Sequence, residues 1–303
     1  MRVLYFLENI RSPILDEFML LITRLGEETA FLVAALILFW CVDKRSGYYI
    51  LGVGFIGTLA NQFMKLFFRI PRPWVIDENF TILEQAREAA SGYSFPSGHT
   101  QSAVGTFAGI AYLTKNSNFR VAAICVAVLV PLSRMYLGVH TPQDVSVAAI
   151  IAVILVFAIK PIVFNNRKRM PILLAVMTVL AILFMCYVEF FPFPADIDSH
   201  NLASGIKNAY TLFGALMGLL VVYIVDEKWL NFSTKACWWA QIIKIAVGLL
   251  LVLAVKGGLK LPLNSLIGES FGRAARYFCV VITAGIVWPL SFKHFEKLGY
   301  KEK

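Results

Sequence analysis

Two histidines, three cations and one carboxylate stand in a fixed order between Lys65 and Asp144. Lys65, Arg72 and Pro73 come first, then Pro96-Ser97-Gly98-His99, then Ser133-Arg134 followed by His140 and Asp144. These residue types suit phosphoryl chemistry. Cations hold the phosphate oxygens, one imidazole attacks phosphorus and the other protonates the departing oxygen. No metal-ligating set accompanies them, so the sequence calls for no metal and no other cofactor.

Lys65 closes a span of Phe, Met, Leu and Gly, and Arg72 follows seven residues later, two helical turns if the helix ran on. Pro71 and Pro73 stop it and fix the approach of the arginine. Taken singly, Lys65 and Arg69 read as cations snorkelling to lipid headgroups. The later motifs assign Lys65 and Arg72 to phosphate and leave Arg69 with the headgroups. Pro96 to His99 opens the next apolar run, at a helix N-terminus where free N–H groups attract an anion. There Ser97 can cap the helix and donate to phosphate, and Gly98 lets the backbone approach a ligand. His99 falls in the first turn beside that anion, which favours its protonated form and suits it to act as general acid. A lone histidine at a membrane edge would otherwise be interfacial.

Thr141-Pro142 reads as N-cap and first helical residue, so Asp144 lies in the opening turn of the next helix. From there it can reach back to His140, fix its tautomer and stabilise an imidazolium, which makes His140 the nucleophile candidate. Alone, Asp144 would be a helix-start charge and Arg134 a snorkelling cation. Charges at a membrane edge are costly, and their gathering at one face favours function.

The surrounding chain is that of an integral membrane protein: 303 residues, 58% hydrophobic, 16% charged, with a mean hydropathy of +0.70. Apolar runs of about 15 to 22 residues recur, near the length that crosses a bilayer as helix. Spans are expected at 29 to 43, 48 to 68, 99 to 114, 119 to 137, 143 to 163, 172 to 191, 208 to 226, 238 to 256 and 274 to 292. Residues 1 to 28 carry eight charges and read as an interfacial or re-entrant amphipathic segment with no cleaved signal peptide. In the segment 69 to 98, residues 81 to 90 are expected to form a short helix capped by Thr81, and the segment is read as a lid or as a loose loop. Trp74, Phe80 and Tyr93 are placed at a lipid mouth or in an aromatic belt. The five cysteines, odd in number and without a C-x-x-C pair, read as small buried hydrophobes.

The formal charge of +9 sits in short clusters between apolar runs, which argues against nucleic acid and for membrane orientation. Lys44-Arg45, Lys115 with Arg120, Arg167-Lys168-Arg169, Lys228 with Lys235, and the tail with Lys293, Lys297, Lys301 and Lys303 fall on alternate loops. Those loops are assigned to the cytoplasm and the three motifs to the opposite face. Lys256, Lys260, Arg273 and Arg276 run against that assignment.

The elements from Lys65 to Pro73, Pro96 to His99 and Ser133 to Asp144 resemble, with their spacings, the signature of the type 2 phosphatidic acid phosphatase superfamily. The resemblance covers residues 29 to 163 and extends to the helix at 172 to 191. It implies an all-α, polytopic transmembrane bundle with a six-helix phosphatase core, working through a phosphohistidine without metal. Carried over, Lys65, Arg72 and Arg134 form the phosphate clamp with Ser97 and Gly98. His140 is the nucleophile, Asp144 its partner and His99 the acid.

The division expected is an N-terminal segment at 1–28, a membrane phosphatase core at 29–191 and about three additional transmembrane helices at 192–303, serving a lipid entry path, an oligomer interface or a larger bundle. The expected substrate is a lipid phosphomonoester or polyprenyl diphosphate, hydrolysed at the extracytoplasmic face of the plasma membrane in a vanadate-sensitive reaction. Two alternatives stand beside it: a lipid phosphotransferase using the same phosphohistidine, and a transporter or scaffold that binds lipid phosphate without turnover.

Overall fold

The computed structural model describes residues 1–87 and 90–298. The expected Lys301 and Lys303 of the basic tail, and Glu88 and Ala89 of the expected loop helix, lie outside the described residues. Every regular element among the described residues is helical. In chain order these are α1 (Arg2–Asn9), α2 (Pro13–Arg24), α3 (Glu28–Ile37), α4 (Lys44–Phe68), α5 (Pro73–Ile76), α6 (Gly98–Leu113), α7 (Ser117–Tyr136), α8 (Pro142–Asn165), α9 (Met170–Phe190), α10 (Ser199–Val225), α11 (Trp238–Gly258), α12 (Lys260–Ile267), α13 (Glu269–Ile282) and α14 (Phe292–Lys297). Short wider turns extend α3, α10 and α13 over Leu38–Val42, Asp226–Leu230 and Thr283–Val287.

All nine expected spans coincide with helices. Among the described residues seven helices are long and apolar enough to cross a membrane. An eighth arises if Pro13–Arg24 and Glu28–Val42, which meet at a 52° bend, count as one. The run at 99 to 114 becomes α6, with 16 residues and a length of about 24 Å, short of the hydrocarbon thickness.

Packing divides the chain into two compact units. One comprises Met1–Leu32, Val53–Lys160 and Pro192–Gly205. Within it α6 and α7 form a hairpin, and small residues are buried on both, Ala103, Gly105 and Gly109 on α6 and Ala123 and Ala127 on α7, the kind that lets membrane helices approach closely. Helices α1 and α2 pack on α7.

Segment 69 to 98 belongs to this unit and is pinned rather than loose. Ser94 N donates to Ile70 O and Leu83 N to Leu137 O. Phe80 and Tyr93 are buried, and Phe80 stacks edge-on with Tyr5, so neither lines a lipid mouth. The expected helix at 81 to 90 shrinks to a single turn, Glu84–Ala86. Thr81 does not cap it, because both its N–H and its hydroxyl are committed to Glu8.

The second unit comprises Val33–Gly52, Pro161–Phe191 and the described residues from Ile206 on. Some of its charged side chains point inward while apolar ones on the same helices face outward, unlike a water-soluble helix bundle. Lys244 is fully buried while Leu250, on the same helix, is 65% exposed. Lys244 Nζ donates to Trp40 O at 2.8 Å and Thr234 O at 3.2 Å and lies 4.1 Å from the Phe292 ring centroid. The ion pair between Lys44 Nζ and Asp226 Oδ2 (2.8 Å) is largely buried too. None of the five cysteines is buried, and Cys125 is exposed, which corrects the expected burial. On a membrane-spanning helix the surroundings are as apolar as a core, so a thiol gains nothing from being inside.

The tightest crossing in this unit is that of α10 on α13. A methyl added at Gly214 would stand 2.0 Å from Ala274 O, a backbone atom that cannot give way. Gly214→Ala is therefore expected to destabilise the protein by about 1–3 kcal/mol, read as a lowered midpoint of thermal unfolding in detergent. Gly257→Ala, with nothing within 4 Å, serves as the control.

Candidate functional site

The first unit gathers all eight sequence-nominated residues into one region. Helix α4 ends at Phe68, and Arg69 turns the chain in a left-handed conformation with φ 51°. This turn and the two prolines send Arg72 back toward the loop at 136 to 140. Arg72 Nη1 donates to His140 Nε2 and to Val139 O, both at 2.9 Å. Its Nε donates to Gly92 O at 3.1 Å and its Nη2 to Ser91 O at 2.9 Å. Lys65 Nζ donates to Tyr93 O.

His140 follows the left-handed Gly138 (φ 79°). That position must lack a side chain, because a Cβ there would stand 3.0 Å from both Arg11 and Phe80 in a conformation L-residues rarely adopt. The Nδ1 of His140 lies 3.4 Å from Asp144 Oδ2. Since arginine only donates, its contact with Nε2 leaves Nδ1 to carry the proton, pointing at the carboxylate. The lone pair of Nε2 thus faces the cations.

Asp144 is fixed from several sides. Its Oδ2 accepts from Ser94 Oγ at 2.6 Å and from Thr141 N at 2.7 Å, while Thr141 Oγ1 accepts from Asp144 N at 3.2 Å. The last two bonds form a capping box at the start of α8, as the Thr141-Pro142 pattern predicts. Ser97 N donates to Asp144 O at 3.1 Å, tying the second motif to the third. Ser97 caps α6 by accepting from Thr100 N. A Cβ at Gly98 would have only Asn61 Oδ1 nearby, at 3.8 Å, so the space beside it is open.

Lys65, Arg72, Arg134, His140 and Asp144 are each no more than 6% exposed. Arg134 is enclosed entirely. Its Nη1 donates to Thr23 Oγ1 at 2.8 Å, while its Nε and Nη2, like Nε2 of His99, have no partner among the described residues. His99 and Arg134 line an open cavity of about 1020 Å³ whose other wall is α2 and its bend into α3. No three His, Cys, Asp or Glu side chains among the described residues are placed to hold a metal ion.

Three polar contributors escape the motif reading. Asn61 lies one turn before Lys65 and donates to Pro96 O at 3.2 Å; the i, i+4 spacing in an apolar helix is a signal that could have found it. Ser94 sits just ahead of the second motif. Thr23 lies outside all three motifs, and no feature of the sequence singles it out.

Burial, then the Arg72, Arg134 and Lys65 charges, hold the His140 imidazole well below its usual range, so it is neutral at pH 7. In the unfolded chain the ring takes up a proton near pH 6.5 while the folded protein still refuses it. Stability conferred by this group is therefore present above about pH 6.5 and lost as pH falls below it. The unfolding midpoint of the wild type relative to His140→Gln is expected to drop between about pH 7.5 and 5.5. A second outcome concerns Arg134: Thr23→Val, which leaves a buried guanidinium short of an acceptor, is expected to cost about 1–3 kcal/mol, and Thr23→Ser to restore most of it in the same assay.

The sequence model of the PAP2 superfamily matches residues 45–168, and that of the PAP2 superfamily phosphatase transmembrane extension matches residues 210–301. Undecaprenyl-diphosphatase BcrC of Bacillus subtilis (strain 168) is 30% identical over 148 residues, 48% of this chain and 74% of the relative. Phosphatidylglycerophosphatase B of the same organism is 33% identical over 164 residues, 50% of this chain and 76% of the relative. A probable sphingosine-1-phosphate phosphatase of Dictyostelium discoideum is 29% identical over 165 residues, half of this chain but only 39% of that protein. No solved structure matches the chain.

Proposed function

We propose, from the premise that this chain belongs to the PAP2 superfamily and is a multi-pass membrane phosphatase, that it hydrolyses lipid phosphomonoesters or diphosphates through a phosphohistidine on His140. The observation that carries the reading is the lone pair of His140 Nε2, aimed at a buried group of three cations that one carboxylate does not neutralise. Such a group is costly unless an anion joins it.

Lys65, Arg72 and Arg134 grip the non-bridging phosphate oxygens, with the Ser97 hydroxyl and the N-terminus of α6 beside them. His140 Nε2 attacks phosphorus and the P–O bond to the lipid breaks, while Asp144 stabilises the imidazolium through Nδ1–H. The leaving oxygen takes a proton from His99 Nε2. Water then gives a proton to His99 as it attacks the phosphoryl group, the N–P bond breaks and inorganic phosphate is released. The cations supply the charge stabilisation, so the chemistry asks for no metal. Names of the relatives span polyprenyl diphosphate, phosphatidylglycerophosphate and sphingoid phosphate substrates, all lipids with a terminal phosphate. We assign the site to the extracytoplasmic face of the plasma membrane, a reading whose orientation the basic loops on alternate sides of the apolar runs support.

Purified protein in detergent with EDTA is expected to release phosphate from a panel of lipid phosphates and diphosphates, with vanadate inhibiting. His140→Ala should lower that release by roughly a thousandfold or more. Unchanged turnover in the mutant would sink the mechanism, and phosphorylated acceptor in place of free phosphate would point to phosphotransfer.

A further inference from the structure

Buried polar atoms without a partner, among the described residues, gather mainly in two places. One is the region of His99 and Arg134. The other is the hairpin of α12 on α13 in the second unit, where Asn264 Oδ1, Arg273 Nε, and Arg276 Nε and Nη1 are all unpartnered. Arg276 is only 4% exposed. A guanidinium buried to that degree with two free donors is costly unless an anion completes it.

Packing brings these groups together. A methyl added at Gly272 would stand 2.8 Å from both Asn264 Oδ1 and Leu263 O, so α12 covers that face of α13. Arg276 follows Gly272 by four residues, about one turn, and shares the face. The Tyr277 ring adds the end of α11: Arg276 Cζ lies 5.5 Å from its centroid and Lys256 Nζ 5.9 Å. With Arg273, and with Lys260 at the start of α12, four cations collect where α11, α12 and α13 meet. They are the four that run against the loop-charge pattern. Among the described residues, Glu269 is the carboxylate that pairs with them, through Arg273 Nη2 at 3.4 Å. Glu189, which approaches this end by way of Tyr210 and Phe271, accepts from the Tyr210 hydroxyl at 3.0 Å.

We propose that this hairpin is a second phosphate-binding site, built by the second unit alone and anchored on Arg276. The free guanidinium donors match phosphate oxygens, and Asn264 Oδ1, an acceptor, suits a hydroxyl on the same ligand. The surroundings favour a lipid headgroup as the carrier of that phosphate. Leu261, Leu266 and Phe271 are exposed beside the cations, where acyl chains can lie while the headgroup meets the basic cluster. Free phosphate is the other source of the same chemistry. The inference uses none of the residues of the phosphatase reading and stands apart from it.

The test measures binding to the purified full-length chain in detergent, by native mass spectrometry and by the midpoint of thermal unfolding. The probes are phosphatidylinositol and phosphatidylcholine with the same acyl chains, and inorganic phosphate. Phosphatidylinositol, anionic and hydroxylated, is expected to bind about tenfold more tightly than phosphatidylcholine, the scale of one charge-assisted hydrogen bond, and to raise the midpoint. In Arg276→Gln the preference should fall to near unity. It should shrink in Arg273→Gln as well, a partly exposed position that keeps the test open where the Arg276 variant does not fold. Inorganic phosphate that raises the midpoint of the wild type, and not that of Arg276→Gln, supports the site and names the free anion as its ligand. Equal binding of the two lipids with no response to phosphate overturns the inference and leaves the free nitrogens to water. So does a preference untouched by both substitutions, or one lost in Arg134→Gln alone, which belongs to the other cation group. Phosphate release from lipid phosphates is measured separately, so neither result decides the other.

Discussion

Three buried cations set against one buried carboxylate are the constraint on which the first unit is organised. Isolated charges in a low-dielectric interior cost several kcal/mol each unless they are paired or solvated by fixed dipoles. Asp144 can serve only part of that need. For Arg72 and Lys65 the remainder is met by backbone carbonyls: Ser91, Gly92 and Val139 for Arg72, and Tyr93 for Lys65. A loop between two membrane helices is thereby held in place by side chains to which the proposed mechanism also gives the phosphate. The left-handed turns at Arg69 and Gly138 are local costs of bringing those carbonyls to the cations.

Asp144 couples this charge balance to secondary structure. Its carboxylate closes the capping box of α8, accepts from Ser94 and orients His140. A single side chain thus sets the start of a membrane helix, the position of the loop before the second motif and the tautomer of the nucleophile candidate. The imidazole cannot drift without disturbing a helix cap, which is how a flexible loop comes to present a nitrogen lone pair in a fixed direction.

The helical membrane architecture was legible in the sequence, and so were the eight nominated residues that the first unit brings together, because both are carried by local signals, apolar runs of membrane length and motifs at short spacing. It was less informative where the deciding contact is distant in sequence. The short helix expected after Thr81 lost its cap to Glu8, 73 residues away, and Thr23 serves Arg134 across 111 positions. Hydropathy marked every long apolar helix, yet it does not register a 52° bend or a helix that stops after 16 residues. Cysteine burial was misjudged for a related reason: the rule that apolar means inside fails where the outside is lipid.

Which groups are already free for an anion is itself informative. Lys65 and Arg72 spend their donors on carbonyls, whereas Arg134 keeps two nitrogens unpartnered and His99 one. Arg134 and His99 line the cavity, whereas Lys65 and Arg72 do not. In the proposed mechanism a phosphate that enters by this cavity meets unsatisfied donors first, at no cost in broken hydrogen bonds, and displaces carbonyls only to reach Lys65 and Arg72. Exchanging a neutral carbonyl for an anionic oxygen strengthens each of those bonds. Binding deepens toward His140 Nε2 because each successive exchange is favourable and the last brings phosphorus to the imidazole. The Arg72 bond to Nε2 then has to yield, which makes the lone pair available when a phosphate oxygen has taken over the guanidinium.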